Sequence, residues 1–371
     1  MKKLAILGAS YLQLPLVKKA RELNIEVHCF AWDNDEAVCK AEADFFYDIS
    51  VLDKERILAQ CSEIGIDGIT TIATDICIPT ICFVASELKL ISNTYESALL
   101  CTNKALMRER FLKYNVDSPK FVKSAALKKE FIKDLIFPLI VKPTDRSGSR
   151  GVEKVYDNSQ LIPAIDRAKH ESFENECIIE EFVEGVEVSV EAISWNGAHH
   201  ILAITDKVTT GEPFFVELEH HQPSQLGEKI QELIVRETLK ALQALGINYG
   251  ASHSEFKITP QGRVVAIEVG ARMGGDFIGS HLVALSTGYD YLKSVIEVAL
   301  GQFTNPDIDK NCYSGVYFLC KESEALLPYF QEKNDFDFEK QILKNNLTFI
   351  TNSNDRSGYL IYNADKKIGL R

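Results

Sequence analysis

Two carboxylates, Glu255 and Glu268, lie in the stretches ASHSEFKI and RVVAIEV, which the turn-forming residues TPQG separate. Period-two alternation on both sides of such a turn predicts a β-hairpin. If Ile258 faces Arg263, the two glutamates are diagonal neighbours on one face, with Cβ atoms about 7 Å apart. The opposite, core-facing side would then carry Phe256, Ile258, Val265, Ile267 and Val269.

Two like charges on one sheet face repel unless a cation lies between them, and hard carboxylate oxygens suit Mg²⁺. A solvated acidic face is the alternative, and a three-residue loop would place Glu255 and Glu268 on opposite faces. The segment GARMGG follows, with Arg272 four residues beyond Glu268. An arginine beside a metal site suits the clamping of an anionic group.

The stretch IVKPTDRSGSRGV (140–152) runs from an apolar strand through Lys142 into a Gly- and Ser-rich loop. Exposed backbone N–H groups in such a loop bind phosphate oxygens, and Lys142 adds a positive charge. Gly148 and Gly151 would let the loop close over a ligand. The spacing differs from that of a P-loop, and an ordinary hairpin turn is the alternative.

The segment CIIEEFVEGVEVSVEAI (177–193) predicts two strands joined by a bent link. Such a link offers backbone groups to a flat heterocycle, while Glu180 and Glu187 could accept hydrogen bonds from an exocyclic amine and from ribose hydroxyls. An acidic strand pair without a ligand is the alternative.

The elements that must position these residues fall into two groups. Strands and helices alternate through the first 90 residues, which predicts a parallel, doubly wound sheet. From about residue 119 strands follow in close succession, typical of an antiparallel α+β unit, and residues 226–246 predict one long amphipathic helix. The turn GASYLQLP and Asp33 only weakly suggest a dinucleotide site, because G-x-G-x-x-G is absent.

Composition restricts the class further. The 371 residues are 46% hydrophobic and 25% charged, with a net charge of −12. This acidic balance argues against nucleic acid as the main partner, and no apolar run is long enough for a transmembrane helix. The nine scattered cysteines indicate buried free thiols in a reducing cytoplasm.

Taken together, these motifs resemble the ATP-grasp superfamily of carboxylate–amine ligases, and within it the amino-acid ligases that form dipeptides. The order matches over roughly residues 1–305: a lysine in NKALMRERF, then VKP, SGSRG, EEFVEGVEVSV, HSEF and IEVGARMGG. The resemblance implies four parts. They are a Rossmann-like N-terminal domain (1–92), a small lid subdomain with preceding helices (93–188), a large subdomain with the metal site (189–307) and a small C-terminal α+β segment (308–371).

The resemblance also implies roles for single residues, with ATP and Mg²⁺ as cofactors and Mn²⁺ as an alternative ion. Phosphates would be held by Lys104, Lys142, Ser147, Gly148, Ser149 and Gly151, the adenosine by Glu180, Glu181, Val183 and Glu187, and the metal by Glu255 and Glu268. Arg272 and Lys142 would act in the chemical step. The family often has Glu-x-Asn at the second metal ligand, whereas this chain has Gly270, so water or Asp276 would have to supply the missing ligand.

The segment ITDKVTTGEPFFVELEHHQPSQLG (204–227) resembles one found in amino-acid ligases. Substrate contacts would come from Lys207, Glu217, His220, His221 and Gly274. A surface loop with chance histidines is the alternative. Shared metal binding by the two histidines is not expected, because neighbours on a strand point to opposite faces.

We therefore expect an ATP-dependent ligase that joins a small carboxylate to an amine, with an amino acid as one substrate. A ligase for another acid or amine in cofactor, nucleotide or secondary metabolism is the nearest alternative. A nicotinamide-dependent oxidoreductase and a nucleotide-binding module without catalysis come from other classes. The expected partners are small molecules rather than a membrane, and a homodimer is left open.

Overall fold

The computed structural model describes residues 1–123, 134–148 and 150–370. The chain begins with a four-stranded parallel sheet in the order β3-β2-β1-β4. Its strands are β1 (Lys3–Leu7), β2 (Glu26–Ala31), β3 (Phe45–Asp48) and β4 (Gly68–Thr70), and its helices are α1 (Leu14–Glu22), α2 (Lys54–Ile64) and α3 (Ile78–Glu87). The inner strand β1 is buried over four of its five residues, as expected for a parallel strand covered on both faces. The parallel sheet predicted for this region is confirmed.

Two helices lead from this sheet to a second, antiparallel one. They are α4 (Tyr95–Thr102) and α5 (Lys104–Lys113). The second sheet has the order β5-β8-β6-β7, with β5 (Phe121–Lys123), β6 (Leu139–Pro143), β7 (Glu153–Val155) and β8 (Cys177–Glu181). Helix α6 (Asn158–Glu171) packs its apolar residues, including Leu161 and Ile165, against Leu139 and Val141 of β6.

The third sheet has eight antiparallel strands in the order β13-β12-β9-β10-β11-β14-β16-β15. They are β9 (Val186–Trp195), β10 (Ala198–Thr209), β11 (Glu217–Gln222), β12 (Gly250–Ile258), β13 (Val264–Gly270), β14 (Tyr313–Leu319), β15 (Asp337–Ile342) and β16 (Gly358–Ala364). The strands after residue 308 therefore extend the same sheet. Strand β11 was not among the predicted strands, because its sequence ELEHHQ has little of the apolar alternation that identifies a strand.

One face of this large sheet is apolar and one is polar over its first strands. Helix α7 (Glu228–Leu245) covers the apolar face, where its Ile234 and Leu242 share a core with Val188, Val190 and Phe256. The helix ends at Gly246, which has a left-handed φ of 69°. The opposite face is left for polar side chains.

The remaining helices are short. A π-helical turn (Ile278–Leu282) leads into α8 (Val283–Thr287), followed by α9 (Tyr291–Ala299) and α10 (Leu327–Gln331), and 3₁₀ turns occur at Val38–Ala41, Lys321–Leu326 and Ser353–Asp355. The cysteines other than Cys312 are buried. Within the described residues, no helix combines the length and apolar character needed to cross a membrane.

Candidate active site

The polar face of the large sheet forms one continuous row of charged side chains. The register pairs Lys207 of β10 with both Glu187 of β9 and His220 of β11, and it pairs His253 of β12 with Glu191 of β9. Paired residues of antiparallel strands share a face. The alternation along four strands therefore collects these side chains over one small area.

Glu255 lies directly opposite Glu268 in the pairing of β12 with β13. The predicted register was wrong, because Ile258 pairs with Val264 across an odd-numbered turn. Such a turn alone would separate the glutamates, but a β-bulge at Ile267 adds one residue and returns Glu268 to the face of Glu255. The core-facing set of β13 is corrected accordingly to Val264, Ala266 and Val269.

Lys207 lies at the centre of three carboxylates. Its Nζ lies 2.8 Å from Glu187 Oε1, 2.7 Å from Glu255 Oε1 and 3.4 Å from Glu217 Oε1. Burial opposes its charge, but these three carboxylates raise the pKa of Lys207 well above its ordinary value. The ammonium group is thus fixed among acids that would otherwise repel one another.

Lys104 forms an ion pair with Glu268, as Lys207 does with Glu255. Its Nζ donates to Glu268 Oε1 at 2.8 Å and to the carbonyl of Arg146 at 2.6 Å. Asn103 caps α5 by accepting from the N–H groups of Ala105 and Leu106, so Lys104 occupies the first helical position. A lysine at a helix N-terminus suits the binding of an anion.

Lys142 and Glu180 bind each other. Lys142 Nζ lies 2.7 Å from Glu180 Oε2, and Arg108 Nε lies 2.7 Å from Oε1 of the same carboxylate. Burial opposes ionisation of Glu180, but Arg108 and Lys142 lower its pKa. Burial, reinforced by Arg108 and Lys104, lowers the pKa of Lys142 despite Glu180. Arg108 also donates to the carbonyl of Ile267 at 2.6 Å, which connects α5 to the bulge.

The Gly- and Ser-rich loop spans the gap between β6 and β7. Gly148 and Gly151 have φ values of 67° and 70°, a region that favours glycine. A Cβ at Gly151 would meet Pro143 Cγ at 2.9 Å, whereas one at Gly148 would meet nothing within 4 Å. Ser147 lines a cavity beside the large sheet, while the predicted phosphate contact Ser149 lies outside the described residues.

Arg272 makes two hydrogen bonds to Asp75, which follows β4 of the N-terminal sheet. Nε donates to Oδ1 and Nη2 donates to Oδ2, each at 2.8 Å. A Cβ at Gly270 would lie 2.5 Å from Asp75 Oδ1 and 3.2 Å from Arg272 Nε. The asparagine that the resemblance led us to expect at position 270 has no room while this salt bridge is present.

A second buried pair lies under Gly274. Glu191 Oε1 contacts His253 Nδ1, and Glu191 Oε2 accepts from the N–H of Gly274 at 3.0 Å. His253 Nε2 lies 3.2 Å from Glu255 Oε1. Burial opposes its charge, but Glu191 and Glu255 raise the pKa of His253 to about 9. Gly274 therefore supports the polar row through its backbone, and a side chain there would collide with Glu191.

A cavity of about 440 Å³ lies between the parallel sheet and this polar row. Residues from many separate stretches of the chain line it, and they include Gly8, Ser10, Trp32, Thr74, Ser147, Gly148, Arg150, Lys207, Glu217, His220, Glu255, Arg272, Asp276 and Asn352. Lys207, Glu217, His220, Glu255 and Arg272 were predicted as site residues, and the cavity brings them together.

His221 lies elsewhere. Its side chain bonds to Glu219 Oε2 at 2.9 Å and to the Tyr362 hydroxyl at 3.0 Å. It therefore packs among residues of the C-terminal strands, on the face opposite that of His220, as the alternation of a strand requires.

The residues expected to hold adenosine lie around β8 and the start of β9. Glu181 donates its N–H to the carbonyl of Lys120 at 2.9 Å, and Val183 lies in the link that follows. Glu187 contacts Lys207 and also Lys257, at 3.0 Å. Glu181, Val183 and Glu187 are thus near neighbours of Glu180 in the sequence.

The carboxylates of Glu255 and Glu268 are suitable ligands for a divalent cation, because they lie directly opposite each other and offer hard oxygen atoms. A metal there would have to replace the contacts of Lys207 and Lys104. Glu187, Glu217 and Glu255 also place ligand oxygens within 4.8 Å of one another. Lys207 accounts for that convergence without a metal, so it is no separate evidence for an ion.

Several site residues escaped sequence reasoning. Arg108 follows Lys104 by one helical turn, and Asp75 follows a strand of the parallel sheet, so both offered a positional signal. Arg356 offered none. Asp276 was considered as a metal ligand, but its carboxylate contacts Arg356 Nη1 at 2.8 Å, so the structure pairs it with an arginine.

A family model described as the ATP-grasp domain matches residues 135–280. Over these residues the resemblance drawn from the motifs is confirmed. The matched region begins before β6 and ends after β13, so it contains Lys142, Glu180, Glu255 and Glu268. Lys104 lies outside it.

The sequence is also similar to that of a known ligase. The alanine–anticapsin ligase of Bacillus subtilis (strain 168) is 29% identical over 245 residues, which cover 60% of this chain and 51% of that protein. The chain spans about half the length of the curated relatives it matches.

Two solved structures share the fold over nearly the whole chain. The L-amino acid ligase from Bacillus licheniformis superposes with a TM-score of 0.81 and 23% identity, covering 99% of this chain and 94% of that one. The biotin carboxylase domain of the Hydrogenobacter thermophilus 2-oxoglutarate carboxylase, in complex with MgADP, gives 0.78 and 18%, covering 98% and 86%. At these identities the likeness establishes the fold, and the expected ATP-grasp architecture is confirmed.

Proposed function

We propose that the protein is an ATP-dependent ligase that activates a carboxylate as an acyl phosphate and joins it to an amine. An amino acid is at least one of the substrates, and ADP and phosphate are released. The observation that supports this most is the direct opposition of Glu255 and Glu268 beside a cavity that the Gly- and Ser-rich loop also lines. The names of the relatives, an alanine–anticapsin ligase and an L-amino acid ligase, favour an amino-acid substrate.

The chemistry explains why so many cations surround the site. A carboxylate resists nucleophiles because of its charge, and phosphorylation supplies a leaving group. As the terminal phosphate of ATP approaches the acid, negative charge accumulates, and the proposed role of Lys104 and Lys142 is to offset it. Bound Mg²⁺, or Mn²⁺ in its place, would supply further neutralisation at Glu255 and Glu268.

Contacts with the protein already orient both lysines before nucleotide arrives. Lys104 is held by Glu268 and by the Arg146 carbonyl, and Lys142 is held by Glu180. Exchange of carboxylate partners for phosphate oxygens needs little movement, which lowers the cost of reorganisation in the reaction. Loop closure at Gly148 would then exclude water from the acyl phosphate.

Gly270 no longer favours a binding module without catalysis. The salt bridge between Asp75 and Arg272 occupies the space of the absent side chain, so glycine at this position has a structural reason. The N-terminal turn gives no new support to a nicotinamide enzyme. Gln13 fills it, accepting from the N–H of Ser10 at 3.1 Å and donating to the Ile72 carbonyl at 2.7 Å.

The test is a screen of amino-acid pairs, and of other acids and amines, for ADP release with ATP and Mg²⁺, followed by mass spectrometry of the products. A ligase yields a condensation product in equal amount to ADP. ADP release without a condensed product, or no release with any pair, would contradict the proposal. The buried cysteines agree with action in the reducing cytoplasm, and partners other than small molecules are not part of the proposal.

A further inference from the structure

We propose that the outer edge of β15 (Asp337–Ile342) is an interaction surface that pairs with the same strand of a second copy of this chain. The two strands would run antiparallel about a two-fold axis, so that the large sheets of the two copies join into one. This inference does not depend on the proposed catalytic function, because the edge lies outside the residues that line the cavity.

The two ends of the eight-stranded sheet differ in how they are covered. At one end, the outer edge of β13 already has partners. The N–H of Ala266 donates to the Asp117 carbonyl at 2.8 Å, and the carbonyl of Ile267 accepts from Arg108 at 2.6 Å. At the other end, β15 pairs with β16 alone among the described strands. The outer backbone groups of β15 are therefore left for solvent or for another strand.

The side chains of β15 are open to solvent. Every residue of the strand is exposed or half-buried. Three apolar side chains at this edge are exposed: Phe338 at 53%, Ile342 at 38% and Leu343, the residue after the strand, at 57%. Exposed apolar residues on an unpaired strand mark a place where another strand binds.

The lysines that could protect this edge are bound to their own chain. Edge strands that stay unpaired often carry lysines that block pairing. Here Lys340 Nζ donates to the Tyr329 carbonyl at 3.1 Å and to Asp337 Oδ2 at 2.5 Å, and its side chain is only 22% exposed. Lys344 Nζ donates to the Asn354 carbonyl at 2.8 Å. These two lysines therefore do not provide this protection.

A bulge at the start of β15 leaves most of the strand regular. The pairing with β16 shifts between Asp337 and Glu339 and is then continuous from Glu339 to Ile342. Beyond the strand, the N–H groups of Leu343 and Lys344 still donate to the Ser357 carbonyl, at 2.7 and 3.1 Å. At roughly 3.4 Å per residue the extended stretch spans about 20 Å, the usual length of a strand in a sheet.

The order of charges along the strand favours a second copy as the partner. The acidic residues Asp337 and Glu339 come first, and Lys340 and Lys344 follow them. An antiparallel copy places the acidic half of each strand beside the basic half of the other. A parallel copy would instead oppose like charges, which disfavours that arrangement.

The apolar side chains suit the same symmetry. With the two-fold axis near Lys340, Phe338 of one copy approaches Ile342 and Leu343 of the other, and the contact occurs twice. Such a pairing uses the edge of both copies and leaves none for a third copy. It therefore ends at a dimer.

Light scattering measures the molar mass of the protein at concentrations from about 1 to about 100 μM. We expect the mass to rise from that of one chain to that of two, because a strand pairing is at the small end of stable interfaces. The double variant Ile342→Lys, Leu343→Lys opposes like charges across the edge and should weaken the dimer about tenfold or more. Leu112→Lys, Ile162→Lys, exposed changes on α5 and α6, is the matched control and should keep the dimer.

Hydrogen exchange of the unaltered protein gives a second measurement that needs no variant. The outward-facing amides of residues 339–343 should exchange about fivefold more slowly at the highest concentration than at the lowest. The amides of β3, an edge strand of the parallel sheet, should keep their rate.

Four outcomes would overturn the proposal. They are the mass of one chain at every concentration, a mass that grows beyond two chains, a dimer that survives the two lysines at the edge, and exchange in residues 339–343 that does not change with concentration. Loss of the dimer in both double variants would place the interface elsewhere and would also reject this surface. None of these results depends on ADP release, so the proposed ligase and the proposed interface can fail separately.

Discussion

Asp75 and Arg272 join the N-terminal sheet to the end of β13 through two parallel hydrogen bonds of 2.8 Å. Both side chains are largely shielded from solvent, at 12% exposure each. Burial opposes the charge on the arginine, but Asp75 raises the pKa of Arg272, so it stays ionised. The arginine that the motif suggests as an anion clamp is thus oriented by an acid from another sheet.

Removal of Asp75 should be costly because it leaves a buried guanidinium unpaired. We expect Asp75→Ala to lower the free energy of unfolding by about 3 kcal/mol. The double variant Asp75→Ala, Arg272→Met should lose less than the sum of the two single variants. Urea unfolding of the four proteins measures the coupling, and additive losses would show that the salt bridge contributes nothing.

Position 270 should reject even a methyl group. Gly270→Ala would push Asp75 Oδ1 from its place, so we expect a loss of about 2 kcal/mol together with a lower rate of ADP release. Gly369→Ala is the control, since a Cβ there would meet nothing within 4 Å. Thermal unfolding of both variants checks this. If Gly270→Ala and Gly369→Ala are equally stable, the Asp75 side chain moves aside at little cost.

Glu268→Gln should abolish turnover and leave the fold intact, because it removes an expected metal ligand while the amide can still accept from Lys104. Glu63→Gln, an exposed change on α2, should behave like the native protein. ADP release and circular dichroism together give the answer. Near-normal release from Glu268→Gln would remove the metal assignment.

Lys142→Ala should weaken the binding of ATP about tenfold or more and the binding of the acid substrate much less. Glu180 would keep its ion pair with Arg108, so the fold should survive. Equilibrium titration of each ligand, with the exposed Lys113→Ala as the control, distinguishes the two effects. Equal weakening of both ligands would count against a phosphate role.

Glu180 should make stability depend on pH. Its pKa in the folded protein lies below the ordinary 4.5, since Arg108 and Lys142 outweigh burial. Its contribution is therefore present above the unfolded pKa and is lost as pH falls through the lower folded one. Glu180→Gln should cost about 3 kcal/mol near pH 7, a gap that narrows below about pH 4. Urea unfolding of the native protein and of Glu180→Gln, near neutral pH and in acid, measures this difference in stability. A difference that stays the same at the two pH values would contradict the prediction.

The motifs predicted the ATP-grasp architecture, because their order and local spacing identify it. Of the predicted site residues, Ser147, Gly148, Glu255 and Arg272 line the cavity, whereas Lys104, Lys142, Glu180 and Glu268 are not among the residues that line it. The placement of Glu255 and Glu268 on one face was predicted through a wrong register. The odd-numbered turn and the bulge at Ile267 each shift the pairing by one residue in the same direction, and a total shift of two residues leaves both glutamates on one face. The pattern of apolar residues does not reveal this bulge, and the contact that Arg108 makes with the Ile267 carbonyl comes from far away in sequence.

Contacts between distant elements were the part that local patterns did not reveal. Asp75 meets Arg272 across 197 positions, and Arg356 reaches Asp276 from a stretch without a recognisable motif. Such partners follow from how the sheets pack together, which no window of sequence contains.

Strand β14 pairs with the outer edge of β11, which carries His220 at the cavity. While a ribosome is still making residues 313–364, β11 has bare amides along that edge and Asp276 has no guanidinium beside it. The wall of the cavity is therefore complete only after the last strands of the chain have been made. In the interval the exposed edge is open to pairing with other chains, which makes the late strands a safeguard against aggregation as well as part of the wall.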